Sequence, residues 1–166
     1  VDRVTAPHGV VVDYGYSRNG AGTVLHTVSA PHLPSQGANT YGRRTYETVG
    51  SRITKISERV TTDRDRTIVE NTYDAKGRVQ ATIRGTGDAQ IRTEYLYDAQ
   101  GQVLRIDEGV TGSGDSWHAQ KSTAYEYDAA GRKIAEILAP DAEPAEQVVT
   151  RFHYDASNRL ILKEQR

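Results

Sequence analysis

One six-residue motif occurs four times between residues 73 and 159, and it limits the possible folds of this chain more than any other sequence feature. The copies read YDAKGR, YDAQGQ, YDAAGR and YDASNR, and they begin at Tyr73, Tyr97, Tyr127 and Tyr154. Self-similarity at intervals of about 20–50 residues is the signature of repeat architectures. A chain built from one repeated unit is more typical of a structural scaffold than of an enzyme.

Each copy of the motif predicts a tight turn between two strands. The aspartate carboxylate accepts backbone N–H groups, and the glycine three residues later tolerates the left-handed backbone that closes such a turn. The fourth copy has Asn158 in place of glycine, and asparagine is the next most tolerant residue where φ is positive. The predicted turn residues are Tyr73, Asp74, Gly77, Tyr97, Asp98, Gly101, Tyr127, Asp128, Gly131, Tyr154, Asp155 and Asn158.

The segments on both sides of these turns have the composition and alternation of β-strands. Residues 92–97 and 103–106, for example, are rich in aromatic and aliphatic residues that alternate with polar ones. Two weaker copies of the motif lie upstream, at residues 16–20 and 46–50, where Ser17 and Glu47 are the predicted turn acceptors. We therefore expect an irregular β segment with a degenerate repeat over residues 1–43 and a hairpin array over residues 44–166.

The composition argues against nucleic-acid binding and against membrane insertion. The net charge is −1, so no basic excess indicates a nucleic-acid partner. No apolar run reaches the roughly 18 residues that a membrane helix needs, so no membrane insertion is expected. The chain begins with valine and shows no signal peptide, so we expect a segment of a longer polypeptide. It has no cysteine, so no disulfide framework is expected.

The candidate chemical groups favour a structural interpretation. Each repeat aspartate lies at a fixed sequence spacing from its own glycine and not from another acid. This spacing predicts turn caps and not metal ligands. No cysteine nucleophile and no G-x-S-x-G elbow is present. We therefore predict no catalytic residue, no metal and no cofactor.

The aromatic residues allow a binding hypothesis beside the structural one. Tyr95 and Tyr125 lie two residues before repeat tyrosines, and Trp117 lies in a glycine-rich, loop-like stretch. Exposed rings at these positions suit stacking on sugars, whereas packed rings hold the sheet together and bond through their polar atoms. The sequence leaves both interpretations open for these three residues.

The Tyr-Asp-x-x-Gly-Arg motif at this spacing resembles the YD repeat of the Rhs family. That family includes bacterial Rhs proteins, the C-type components of Tc toxin complexes and the YD shells of teneurins. The resemblance covers residues 44–166 well and the first 43 residues loosely. It implies an all-β fold of stacked β-hairpins in a spiral sheet, which forms an open or partly closed barrel-like wall.

The resemblance also implies a function. We expect a structural segment of a secreted or cell-surface Rhs-like protein, contributing to a shell that encloses a C-terminal, toxin-like payload. Autoproteolysis is not carried over, because the acidic motif that performs it in bacterial members is absent here. The expected partners are adjoining repeats or another copy of the chain. The alternative is a carbohydrate-binding or adhesive module, whose partners are glycans.

Overall fold

The computed structural model describes residues 2–5, 11–19, 23–29, 43–61, 64–86, 89–111 and 117–166. Regular structure within these ranges is entirely β, which confirms the predicted fold class. Among the described residues, no helix has the length and apolar character needed to cross a bilayer.

The described residues form thirteen strands, which follow one another in chain order within one sheet. Their bounds are β1 Asp2–Thr5, β2 Val11–Arg18, β3 Val24–Val28, β4 Arg44–Val49, β5 Arg52–Arg59, β6 Asp65–Tyr73, β7 Val79–Thr86, β8 Ala89–Tyr97, β9 Val103–Thr111, β10 Lys121–Tyr127, β11 Lys133–Leu138, β12 Val148–Tyr154 and β13 Leu160–Gln165. A chain-order sheet of this kind is a succession of hairpins, in which every connection joins neighbouring strands.

The chain divides into two compact units. The first comprises Val1–Tyr73 and Thr82–Gln90, and in it β1 to β6 pair antiparallel, each with the next. The second comprises Asp74–Ala81 and Ile91–Arg166, and in it β9 to β13 pair in the same way. The predicted boundary between residues 43 and 44 stays a prediction, and much of residues 1–43 lies outside the described ranges.

Few side chains of the described residues are fully buried. Among the described residues, the buried apolar ones are Val11, Ala81 and Ala135, and small hydroxyl residues such as Ser57 and Thr123 are also buried. Residues this small cannot supply the burial of a thick two-layer core, because hydrophobic stabilisation scales with the apolar area removed from water. Backbone ladders and polar side-chain bonds between strands therefore carry much of the cohesion of each unit.

The first weak repeat forms its turn two residues later than predicted. Strand β2 continues through Arg18, so Ser17 pairs with Leu25 inside the hairpin and is not the turn acceptor. Asn19 takes that role: its N–H donates to Thr23 O at 3.0 Å, and its Oδ1 accepts the Thr23 N–H at 3.0 Å. Asparagine can replace aspartate here because both side chains carry an acceptor oxygen at the same distance from the backbone. Gly20, the predicted closing residue, lies outside the described residues.

The second weak repeat also has a different acceptor from the one predicted. Glu47 lies within β4 opposite Lys55, and their charged groups are 3.7 Å apart. The chain reverses instead through a two-residue connection after Val49, with Gly50 at a φ of 61°. A two-residue turn with a positive φ at its first central residue closes a hairpin without a side-chain cap.

Candidate functional site

The four clear repeats share one turn geometry. In the first copy the Asp74 carbonyl accepts the Gly77 N–H at 2.9 Å, while the Asp74 N–H donates to Arg78 O at 2.9 Å. Gly77 has a φ of 81°, which makes this a type I turn followed by a glycine bulge. The same pair of bonds closes the turns that begin at Asp98, Asp128 and Asp155, with positive φ at Gly101, Gly131 and Asn158.

The aspartate side chain caps the turn from within. In the third copy Asp128 Oδ1 accepts the N–H groups of Ala130 and Arg132, each at 2.9 Å. The other oxygen, Oδ2, accepts Nε–H of the Arg132 side chain at 2.7 Å. The bond from the backbone N–H of Arg132, followed by the bond from its guanidinium, lowers the pKa of the Asp128 carboxyl.

The same carboxylate environment recurs in two other copies. Arg78 and Arg159 donate through Nε to Asp74 and Asp155 at 2.7 Å. The pKa of each of these carboxyls is also lowered, with the backbone N–H bond as the largest cause. These aspartates are therefore ionised, satisfied turn caps at neutral pH.

Each repeat tyrosine reaches back to the preceding hairpin. The hydroxyl of Tyr97 donates to Val79 O at 2.7 Å, Tyr127 to Val103 O at 2.9 Å, and Tyr154 to Lys133 O at 2.8 Å. All three acceptors lie two residues after the glycine of the preceding turn, where the returning strand begins. Tyr73 makes the corresponding bond to Ile53 O at 2.7 Å in the first unit.

The residue that ends each turn reaches forward to the next one. Arg78 Nη1 donates to Asp98 O at 3.0 Å, and Arg132 Nη1 donates to Asn158 Oδ1 at 2.7 Å. Where the arginine is replaced, the Gln102 amide donates to Gly131 O at 2.8 Å. We call these backward tyrosine bonds and forward arginine or glutamine bonds the turn ladder.

Comparison with known proteins agrees with this geometry. The family model for the Teneurin YD-shell matches residues 14–165, which is most of the chain. The chain belongs to the YD-shell family. The resemblance seen in the repeated motif is thereby confirmed, and the turn ladder is how this YD-shell chain uses its motif residues. A search of curated protein sequences finds no match.

A groove lies between two successive turns of the second unit. Its volume is about 560 Å³. Its walls come from the turn that begins at Asp98 and the turn that begins at Asp128, with Gln102, Leu104 and Tyr127 between them. The groove is polar on the turn side and has one aromatic wall.

The three aromatic residues singled out for ligand contact occupy separate environments. Tyr95 stacks on Tyr97 with ring centroids 6.4 Å apart, and Lys133 Nζ lies 5.2 Å from the Tyr125 ring centroid. The Arg92 guanidinium lies 5.4 Å from the Trp117 ring centroid. The Trp117 indole nitrogen is buried without a hydrogen-bond partner among the described residues. Glycan contact through these residues stays a hypothesis.

Sequence patterns did not indicate a cluster centred on Arg105. Its guanidinium pairs with Asp107 at 2.8 Å and with Asp141, and Nη2 also donates to Ser122 at 3.2 Å. Arg105 and Asp141 are 36 residues apart, so no local sequence motif predicts the pair. The hydrogen bond from Arg105 lowers the pKa of the Asp141 carboxyl. The cluster ties the connection after β11 to strand β9.

No group of three or more histidine, cysteine, aspartate or glutamate side chains is arranged to hold a metal ion within the described ranges. The carboxylates of the repeat turns are spread one to a turn, and most of them already accept hydrogen bonds from their own arginine. This arrangement suits strand cohesion.

Proposed function

We propose that this chain is a wall segment of a secreted or cell-surface YD-repeat shell that encloses a C-terminal, toxin-like payload. The observation that carries the proposal is the turn ladder, because it joins each hairpin of the second unit to the next in both directions. Membership of the YD-shell family supports it. The partners proposed for the segment are adjoining repeats of a longer polypeptide or another copy of itself.

A wall that is one sheet thick requires bonds between hairpins, and the turn ladder supplies them. A single sheet layer with few buried side chains gains little from hydrophobic burial, so it depends on bonds that cross from hairpin to hairpin. A net hydrogen bond contributes about 0.5–1.5 kcal/mol, and a repeated set of them adds up along the array. Each guanidinium in the ladder also packs on an aromatic ring, as Arg78 does on Tyr97 at 4.4 Å.

The proposal assigns no catalytic activity to this chain. The ionised side chains of the repeat turns are engaged in capping and cross-linking, and the pKa shifts of Asp74, Asp128 and Asp155 are downward, away from the range of a general acid or base.

The test is limited proteolysis of the polypeptide expressed from the complete reading frame that contains this sequence. We expect the region after the repeats to resist digestion in the unaltered protein. The double variant Tyr127→Phe with Tyr154→Phe breaks two ladder bonds and should expose that region several-fold faster. Tyr125→Phe is the matched control, because the Tyr125 hydroxyl has no hydrogen-bond partner among the described residues. Equal, rapid digestion in every protein would refute enclosure.

A further inference from the structure

The ring of Tyr127 differs from the other repeat tyrosines in what covers it. The rings of Tyr73, Tyr97 and Tyr154 each lie beneath an arginine that follows the preceding turn, at 5.7, 4.4 and 5.0 Å. Tyr127 follows the turn that ends in Gln102. No cation covers the Tyr127 ring within the described part of the chain.

The same substitution changes the carboxylate of the preceding turn. Asp98 Oδ1 accepts the Gln102 N–H at 2.8 Å, as in the other copies. Its Oδ2 receives no side-chain donor from the described residues, whereas arginine Nε fills this position at 2.7 Å in the three other turns. Glutamine retains the forward bond, to Gly131 O at 2.8 Å, but supplies neither the charge nor the ring contact.

The groove described above lies where the missing guanidinium belongs. Asp98, Gln102 and Tyr127 all line it, and its volume of about 560 Å³ falls within the range of about 300–1,000 Å³ typical of ligand sites. Three observations therefore coincide: an aromatic ring without its cation, a carboxylate oxygen without its donor, and a groove between them.

We propose that this groove binds a guanidinium group from outside the chain, with the planar cation on the Asp98 carboxylate and against the Tyr127 ring. A guanidinium fits better than an ammonium, because its planar donors match a carboxylate while its face stacks on an aromatic ring. The arginine side chain of another polypeptide and a small alkylguanidine share this chemistry. The inference rests on the turn geometry alone and is independent of the enclosing role.

The first test is a titration of the isotope-labelled 166-residue chain with N-acetylarginine amide, followed by amide chemical shifts. We expect saturable shifts confined to residues 98–104 and 127–131. N-acetylcitrulline amide has nearly the same shape without the charge, and it should bind at least about tenfold more weakly, which corresponds to roughly 1.4 kcal/mol. Absence of saturable shifts, or equal binding of both compounds, would overturn the proposal.

Matched variants test the site itself. Gln102→Arg restores the repeat pattern and should abolish the arginine-induced shifts by filling the groove in cis, and Asp98→Asn should weaken them. Arg132→Gln recreates the same vacancy one repeat later, so it should generate a second set of shifts around residues 128–133 and 155–159. Circular dichroism establishes that each variant is folded. A folded Gln102→Arg protein that binds N-acetylarginine amide as before would contradict the assignment.

The source of the guanidinium is decided by comparing two further probes. Tighter binding of the tripeptide Gly-Arg-Gly than of agmatine supports a polypeptide arginine as the natural occupant. Tighter binding of agmatine supports a small alkylguanidine in the same groove.

Discussion

At the level of single residues, one aspartate per repeat closes its turn and caps it. Asp128 accepts two backbone N–H bonds on one oxygen and an arginine bond on the other, while its own carbonyl closes the type I turn. The neighbouring glycine supplies the positive φ that the bulge requires. Five consecutive residues thus hold everything that defines the turn.

A substitution at Gly101 tests the backbone conformation of a turn without creating a steric clash. Gly101 has a φ of 95°, and a side-chain carbon placed there would meet no atom within 4 Å. Gly101→Val should lower the free energy of unfolding by about 1–3 kcal/mol, because a β-branched residue resists positive φ. Thermal unfolding measures this. Gly101→Asn is the control and should cost less, since Asn158 occupies the equivalent position; an unchanged melting temperature in Gly101→Val would count against the turn assignment.

The turn aspartates predict loss of stability in acid. Their folded pKa values lie below the unfolded value of about 3.9, so their contribution is complete above that pH and disappears as the pH falls through the folded values. Urea unfolding of the chain between pH 7 and pH 2 should show this decline below about pH 4.

Asp128→Asn provides the comparison for the acid effect. The variant lacks one of the lowered carboxyls, so its stability at pH 7 is lower and its decline on acidification is shallower than that of the unaltered chain. Parallel curves for the two proteins would show that Asp128 contributes nothing to the pH dependence.

At the element scale, the hairpin is the unit and the ladder is its connection to the next. A tyrosine hydroxyl fixes the start of the returning strand in the preceding hairpin, and the turn-ending residue holds the following turn. Both bonds connect the hairpin that turns at Asp98 with the hairpin that turns at Asp128. The variable connections between hairpins leave this pattern unchanged in the second unit.

The ladder predicts a measurable contribution from one hydroxyl. Tyr127→Phe removes the bond to Val103 O while keeping the ring, so the free energy of unfolding should fall by about 0.5–1.5 kcal/mol. Urea denaturation is the measurement. Tyr125→Phe removes a hydroxyl without a hydrogen-bond partner among the described residues, and it should cost less; equal losses in the two variants would contradict a specific role for the ladder bond.

A second prediction at this scale concerns the close approach of Trp117 to β9. A side-chain carbon on Gly109 would lie 2.3 Å from His118 O and 3.1 Å from the Trp117 indole nitrogen. Gly109→Ala should therefore displace this segment and destabilise the unit by about 1–3 kcal/mol.

The displacement is directly observable because Trp117 is the chain's single tryptophan. Its fluorescence emission should move to longer wavelength in Gly109→Ala as the indole gains solvent. Val110→Ala, at the exposed neighbouring position, is the control and should leave the emission unchanged. An unshifted emission spectrum in Gly109→Ala would show that the added methyl group is accommodated without movement of the Trp117 indole.

At the scale of the whole molecule, the last strand presents an apolar surface. Leu160, Ile161 and Leu162 of β13 are 53, 64 and 47 % exposed, and β13 is the final strand in the sheet order. Exposed apolar strands at the end of a sheet favour pairing with another chain. This supports the proposal that adjoining repeats or a second copy pack against this strand.

The exposed strand predicts association that depends on concentration. Light scattering of the 166-residue chain across a concentration series should show a rising mass, and Ile161→Lys should suppress it, because a lysine opposes strand pairing. Val49→Lys, at an equally apolar position that is 54 % exposed, is the control and should leave association unchanged. A monomer at all concentrations would remove β13 as a docking strand.

Local sequence was sufficient to predict the repeat turns and the all-β fold. A turn is closed by atoms within five residues, so the aspartate, the glycine and the motif order suffice to place it, as at residues 74–78. Alternation of apolar and polar residues sufficed for the strands on either side. In the two weak copies, the fixed tyrosine-to-glycine offset predicted the wrong turn acceptors, at Ser17 and Glu47.

The groups that meet across hairpins could be identified only once the strands were packed in three dimensions. The Tyr127 hydroxyl bonds a carbonyl 24 residues away, and Arg105 pairs with an aspartate 36 residues away. These partners depend on strand register and on the length of each connection, which are set by the pairing of the whole sheet and not by local sequence. The open position beside Gln102 likewise depends on contacts between hairpins. The sequence shows a glutamine in place of arginine. Only the packed turns bring the uncovered Tyr127 ring, the open Asp98 oxygen and the groove together.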